Sequence, residues 1–150
     1  MRSIKTYLFI AVCLFSLAPF AAHGEEFYSR VSFVVDGDTI ILENGERVRY
    51  IGIDTPERDE PFYTEARGLN HGFVSGKKIR LVICPEEKRD KYKRLLAWVY
   101  VDATLVNAEL LKKGLAKVLI IPPCGSHKAK EFRALEQKAR QEKKGIWGPK

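Results

Sequence analysis

The chain is organised around one short stretch, Arg49-Tyr50-Ile51-Gly52-Ile53-Asp54-Thr55-Pro56-Glu57. Its first half is aromatic and β-branched, which predicts a strand, and Pro56 ends that strand because it has no N–H for a sheet ladder. The strand carries a guanidinium at its start, Arg49, and oxygen donors after its end: Asp54, Thr55 and Glu57. Such groups can hold a metal, a base and a phosphate, but an ordinary polar turn has the same composition.

Turn signals divide the first half of the chain into strands. Phe27 to Val35 is rich in Val, Phe and Tyr and predicts a strand, which Asp36-Gly37 ends as a tight turn. Asp38 to Leu42 is the next strand. Asn44-Gly45 between apolar runs predicts a hairpin, so Glu46 to Ile53 is the return strand. The first half is therefore a three-stranded meander.

The second half alternates helices with strands. A helix is predicted to open at Pro61 and to end at Gly76. Two strands follow, Lys77 to Ile83 and Arg94 to Val101. A short helix around Leu110 precedes a last helix, for which Ser126 is the candidate N-cap. These elements predict a mainly β fold with helices, a five-stranded barrel of the oligonucleotide/oligosaccharide-binding (OB) type with three helices.

The N-terminus has the pattern of an export signal. Within Met1–Gly24, a positively charged start precedes the apolar run Leu8–Leu17, and small residues follow. The run is short for a membrane span, although an uncleaved anchor would have a similar pattern. We therefore expect a signal peptide at 1–24, one domain at 25–150, location in a periplasm or the medium, and no stable membrane association after cleavage.

The net charge and the cysteine content indicate which class of partner and which compartment the protein has. The 150-residue chain has a formal net charge of +7, which falls to +5 when Arg2 and Lys5 leave with the leader. This excess favours a polyanionic partner such as nucleic acid, although a basic protein without such a partner has the same charge. The mature chain keeps Cys84 and Cys124, an even number that indicates one disulfide in an oxidising compartment. In a reducing one they would be free thiols.

Three polar stretches carry the candidate chemistry: Asp36-Gly37-Asp38-Thr39, Arg49 to Glu57 and Asp90-Lys91-Tyr92-Lys93-Arg94. In a meander the end of the third strand lies beside the start of the second, which brings Asp54 near Asp38. Two carboxylates and a backbone carbonyl form an oxygen site that suits Ca2+. Arg49 and Arg94 can grip one phosphate through paired hydrogen bonds. With Glu57 as proton acceptor, this set predicts metal-assisted hydrolysis of phosphodiesters.

Each of these residues also has an ordinary explanation. Asp36 and Asp38 are common in turns, and Arg94 can be one more charge in a solvated loop. His71 and His127 stand alone, so the sequence predicts no zinc site. The main alternative is a barrel that binds nucleic acid without cutting it.

Taken in order, the motifs resemble the staphylococcal-type nuclease (thermonuclease) family. To the three polar stretches the resemblance adds two later segments: Asn107 through Gly114-Leu115-Ala116, and Gly145-Ile146-Trp147. It covers essentially the whole mature chain. It implies a five-stranded barrel with three helices, and a monomer that cleaves DNA and RNA in a Ca2+-dependent reaction with little sugar or base specificity.

The resemblance also implies roles for individual residues. Three groups would hold the metal: Asp38, Asp54 and the carbonyl of Thr55. Three side chains would be catalytic: Arg49, Glu57 and Arg94. Two would lie at a neighbouring substrate phosphate: Lys91 and Tyr92. Asp36 would support the metal ligands from outside, and the loops of Cys84 and Cys124 would lie side by side. Where family members place tyrosines near a bound base, this chain has Ile120-Ile121-Pro122-Pro123.

Overall fold

The computed structural model describes residues 25–149, so the predicted leader lies outside the described residues. Five principal strands build the body: β1 Glu26–Val34, β2 Thr39–Leu42, β3 Arg47–Tyr50, β5 Lys78–Ile83 and β6 Leu95–Val101. Three short strands accompany them: β4 Ile53–Asp54, β7 Thr104–Leu105 and β8 Lys117–Val118. The helices are α1 Tyr63–Val74, α2 Val106–Lys112 and α3 Ala129–Gln141, with 3-10 turns at Cys124–Lys128 and Gly145–Trp147.

The principal strands close into a barrel. They follow the order β3-β2-β1-β5-β6 through antiparallel pairs, and a parallel pairing of β3 with β6 closes the ring, while the short β7 pairs with β6. Val48 faces Leu95 and Tyr50 faces Ala97 in that closing pair. The predicted five-stranded OB barrel with three helices is confirmed. None of the helices in residues 25–149 is long and apolar enough to cross a bilayer.

The core fills the barrel and extends under α3. Ile40, Leu81 and Val99 are fully buried inside the barrel. Phe132 from α3 is also fully buried, and it lies against Gly52, where an added Cβ would come within 2.7 Å of the ring. Gly52 has a positive φ of 82°, so both its conformation and this contact require glycine.

The return strand of the meander is shorter than predicted. Glu46 to Ile53 is not one strand, because β3 ends at Tyr50 and the chain turns at Gly52. The next two residues form β4, which pairs with β8 rather than with the meander, Asp54 facing Lys117. The hairpin at Asn44-Gly45 is present, but Gly45 alone of the two has a positive φ.

Two helix starts also differ from the prediction. α1 begins at Tyr63 rather than at Pro61, because Phe62 takes a left-handed conformation with φ of 69°. Ser126 is not the N-cap of the last helix, since it lies inside the 3-10 turn that precedes α3. Lys128 occupies the cap position and makes no side-chain capping bond.

Candidate active site

Asp38 is the buried centre of the site, with 4% of its surface exposed. It stands immediately before β2, and its Oδ2 accepts hydrogen bonds from the Thr55 N–H at 2.8 Å and the Thr55 hydroxyl at 3.0 Å. Its Oδ1 accepts from the Thr39 hydroxyl at 3.2 Å. An added Cβ at Gly37 would lie 2.7 Å from Thr55, so glycine lets the turn pack against the end of β4. The two predicted motifs therefore meet.

Arg49 bridges the two carboxylates that the meander was expected to bring together. Its Nη1 lies 2.9 Å from Asp38 Oδ2, and its Nη2 lies 2.9 Å from Asp54 Oδ1. The same guanidinium donates to the carbonyl oxygens of Ile53 at 2.9 Å and Tyr50 at 3.1 Å. These bonds fix the side chain at the point where β3 turns into β4.

Burial dominates the electrostatics of Asp38. Desolvation raises the pKa of its carboxyl, the Arg49 guanidinium opposes that rise, and the nearby Asp36 carboxylate adds to it, so that the pKa stands at about 7. Asp36 also accepts the backbone N–H of Asp38 at 2.9 Å, which places it behind the buried carboxylate. One guanidinium therefore compensates the Asp38 charge only in part, and a further cation would favour the ionised form.

A buried amide that the sequence analysis missed holds this turn in place. Asn70 on α1 is fully buried; its Oδ1 accepts the Tyr50 hydroxyl at 2.8 Å, and its Nδ2 donates to the Asp36 carbonyl at 3.0 Å. Asn70 therefore connects α1 to β3 of the barrel and to the turn at Asp36. The available signal was its place four residues after Ala66, on the inward face of α1, where a polar residue needs a partner.

Arg49 and Arg94 line one cavity of about 350 Å³, together with Lys91 and Tyr92. Asp90 aims Arg94: its Oδ2 accepts Arg94 Nε and Nη2 at 2.7 Å each, and its Oδ1 accepts the Arg94 N–H at 2.9 Å. Burial pushes the pKa of Asp90 upwards, but the hydrogen bonds from Arg94 hold it below its ordinary value. Tyr92 is 68% exposed at the cavity mouth, and its ring centre lies 5.4 Å from the Arg94 guanidinium.

Glu57 lines a different cavity. Its side chain is exposed, and its N–H donates to Glu60 Oε2 at 2.9 Å. It borders a second cavity of about 410 Å³ that Asp54 and Thr55 also line. The predicted site residues that line these two cavities therefore form two groups, which meet at the bond between Arg49 and Asp54.

The sequence profile of staphylococcal nuclease homologues matches residues 47–149. The chain belongs to this family. It is 39% identical over 122 residues to endonuclease YncB of Bacillus subtilis, covering 75% of this chain and 58% of that protein. It is 41% identical over 122 residues to the SPbeta prophage-derived endonuclease YokF of the same species, covering 75% and 41%. Identity to the thermonuclease of Staphylococcus hyicus is 32% over 170 residues, covering 98% and 99%. The chain thus spans about half the length of the two Bacillus relatives.

In this member of the family a disulfide closes one wall of the Arg49–Arg94 cavity. Cys84 and Cys124 are bonded at 2.05 Å, with their Cα atoms 5.8 Å apart, and both line the cavity. Glu86 lies beside them, and the three residues are close enough to hold an ion. Both sulfurs are used in the disulfide, however, so this group offers no thiolate to a metal.

The donor set around Asp38 fits a hard cation. Asp38 and the half-exposed Asp54, 51% accessible, offer carboxylate oxygens, and Thr55 adds a backbone carbonyl between β4 and Pro56. Oxygen donors with an open side for water are typical of Ca2+ sites. The incomplete compensation of Asp38 gives a physical reason for a cation to bind there.

Proposed function

We propose that the protein is an exported, Ca2+-dependent endonuclease that hydrolyses phosphodiester bonds of DNA and RNA with little sugar or base specificity. One observation carries the proposal. In a chain of the nuclease family, Arg49 joins the buried Asp38 to Asp54 on the edge of a cavity that also holds Arg94. Two guanidiniums at one opening, one of them bonded to two carboxylates, suit a phosphodiester and a metal ion, and a barrel that only bound nucleic acid would not need this set.

The two arginines would bind the phosphate that is cleaved. Their N–H groups are held by Asp38, Asp54 and Asp90 before any substrate arrives, so they need little reorganisation as charge develops on the phosphate oxygens. Lys91 and Tyr92 line the same cavity and would contact a neighbouring phosphate. Ca2+ bound by Asp38, Asp54 and the Thr55 carbonyl would supply positive charge that polarises the phosphoryl group and acidifies water.

Glu57 would accept the proton of the attacking water. It is the exposed carboxylate three residues beyond Asp54, on the edge of the second cavity. Exposure leaves it accessible to water, and it is not assigned to the metal. A positioned proton acceptor of this kind contributes typically about 10²–10⁴-fold to a rate.

Digestion of DNA and RNA with Ca2+ and with a chelator tests the proposal. The parental protein should cut both with Ca2+ and neither with chelator. Glu57→Gln should still fold and bind Ca2+ but lose about 10²–10⁴-fold in turnover. Glu65→Gln, at an exposed carboxylate on α1, is the matched control. A Glu57→Gln variant that cuts near the parental rate under saturating Ca2+ would show that Glu57 is not the proton acceptor. Binding without cutting would favour the non-catalytic module.

Export is tested separately. We expect protein purified from the periplasm or the medium to begin at Glu25, because the residues before it have the pattern of a cleaved signal. An N-terminal sequence that retains the leader, with the protein in the membrane fraction, would contradict export in soluble form. Sedimentation of the mature protein should give a monomer.

A further inference from the structure

We propose that the cavity bounded by Glu57, Phe62 and Trp147 binds the nucleoside on one side of the cleaved phosphate. The inference rests on the proposed function. A phosphodiester carries a substituent on each side, and two cavities of about 350 and 410 Å³ meet at this site. Arg49 lines the first and Asp54 lines the second, and a 2.9 Å bond joins them. A phosphate held at this junction has one cavity for each substituent.

The surface of the second cavity has the chemistry that a nucleobase requires. Phe62 and Trp147 are half-buried aromatic side chains that line it. The Arg140 guanidinium lies 3.9 Å from the centre of the Trp147 ring and holds the indole in place. Aromatic rings stack on any base.

Charge distinguishes a nucleoside from a phosphate as the occupant. Glu57 and Glu60 line the cavity and are not assigned to the metal, and their carboxylates repel a second phosphate there. An uncharged sugar and base avoid that repulsion. Lys117, exposed on β8, lines the same cavity and can attract the phosphate that follows the nucleoside.

The backbone at Phe62 allows a clean test. Its φ of 69° is unfavourable for a residue with a bulky side chain, and strain of this kind is concentrated at functional sites. Its carbonyl accepts the Ala66 N–H at 2.9 Å, which holds the conformation at the start of α1. Glycine adopts a positive φ without strain. Phe62→Gly therefore removes the ring while relieving the backbone, and the variant should fold.

The experiment compares kcat/KM in Ca2+ for a thymidine dinucleotide and for its two analogues, in each of which one nucleoside is replaced by a methyl ester. Phe62→Gly should lower kcat/KM about 5- to 100-fold on the dinucleotide, the range expected for loss of one stacked base. The variant should lower kcat/KM by the same factor on the analogue that keeps the nucleoside proposed to occupy this cavity. On the other analogue the fall should be smaller by a factor of at least about five. Tyr28→Ala, at an exposed aromatic residue on β1 that lines neither cavity, is the control and should change none of the three.

The outcomes separate this proposal from the function on which it rests. An equal fall in kcat/KM on all three substrates would overturn the nucleoside site, because the Phe62 ring would then act on the fold or on the reacting groups. No fall on any substrate would overturn it as well. Parental protein that cleaves none of the three substrates in Ca2+ would overturn the proposed nuclease function, and the nucleoside site with it.

Discussion

Asp38→Asn in metal-free protein tests whether the buried carboxylate stores unfavourable electrostatic energy. Asp38 is almost fully buried, and Arg49 is the cation in contact with it. The substitution removes the charge but keeps an oxygen that can accept the two hydrogen bonds from Thr55. We expect the variant to be more stable than the parent above pH 7, even though it loses an ion pair.

The magnitude follows from the pKa of Asp38, which lies at about 7 against an ordinary value of 3.8. The folded protein keeps a proton between these values that the unfolded chain releases, so parental stability falls as the pH rises through this window. The decline is complete above the folded pKa and reaches roughly 4 kcal/mol at most. The amide that replaces the carboxyl does not titrate, so the variant lacks this contribution. The stability difference should therefore be small near pH 4 and largest above pH 7.

Urea unfolding in chelator, followed by tryptophan fluorescence at several pH values, measures this difference. Asp59→Asn is the control, because Asp59 is exposed and its charge is already solvated. The free energy of unfolding of Asp59→Asn should stay within about 0.5 kcal/mol of the parental value at every pH. A difference for Asp38→Asn that is constant with pH, or that favours the parent as pH rises, would refute the reasoning. It would mean that Arg49 compensates the burial of Asp38 in full.

Adding Ca2+ should reverse the order of stability. A ligand that binds the folded state alone stabilises it by an amount that rises with concentration above its Kd. The parent should gain this stabilisation, and the Asp38→Asn variant should gain less. Gains of equal size would show that Asp38 is not a metal ligand, and they would leave the pH result unaffected.

Three further results are expected. Arg94→Ala should lower turnover in Ca2+ by about 10²–10³-fold, measured by DNA digestion, with exposed Arg58→Ala as control; a loss below about tenfold would contradict a contact with the developing charge. The exported protein should show no free thiol on labelling without reductant, and replacing Cys84 and Cys124 by Ser should lower the free energy of unfolding by about 3–4 kcal/mol for a separation of 40 residues; two labelled thiols would count against the disulfide. Affinity for single-stranded DNA, measured by anisotropy in non-cleaving conditions, should fall steeply as salt rises, and binding insensitive to salt would refute a phosphate-based contact.

The strands were predictable because their signals are local. The alternation of inward and outward residues in β5 and the Asn44-Gly45 turn depend on neighbours in sequence. The break between β3 and β4 lies instead at Gly52, against which the ring of the distant Phe132 packs. Similarly, Ser126 has the composition of an N-cap, but its segment forms a 3-10 turn beside the disulfide at Cys124. Local preference does not include these tertiary contacts.

In the candidate site, too, some features follow from local sequence and others from tertiary contacts. Asp54 was predicted near Asp38 as the end of a continuous return strand, but in the structure it lies on β4 and is joined to Asp38 through Arg49. The separation of Glu57 from Arg94 could not be foreseen, because it arises where β4 leaves the meander to pair with β8. That pairing places Lys117 opposite Asp54.

The break after β3 therefore determines how the candidate site is arranged. Had Glu46 to Ile53 continued as one strand, Asp54 would have followed the meander rather than the edge of β8. The turn at Gly52 instead sends β4 to β8, so that Asp54 bonds to Arg49 on one side and lines the Phe62 and Trp147 cavity on the other. The turn at Gly52, against which Phe132 packs, carries no chemistry itself, yet it places Asp54 between Arg49 and the second cavity.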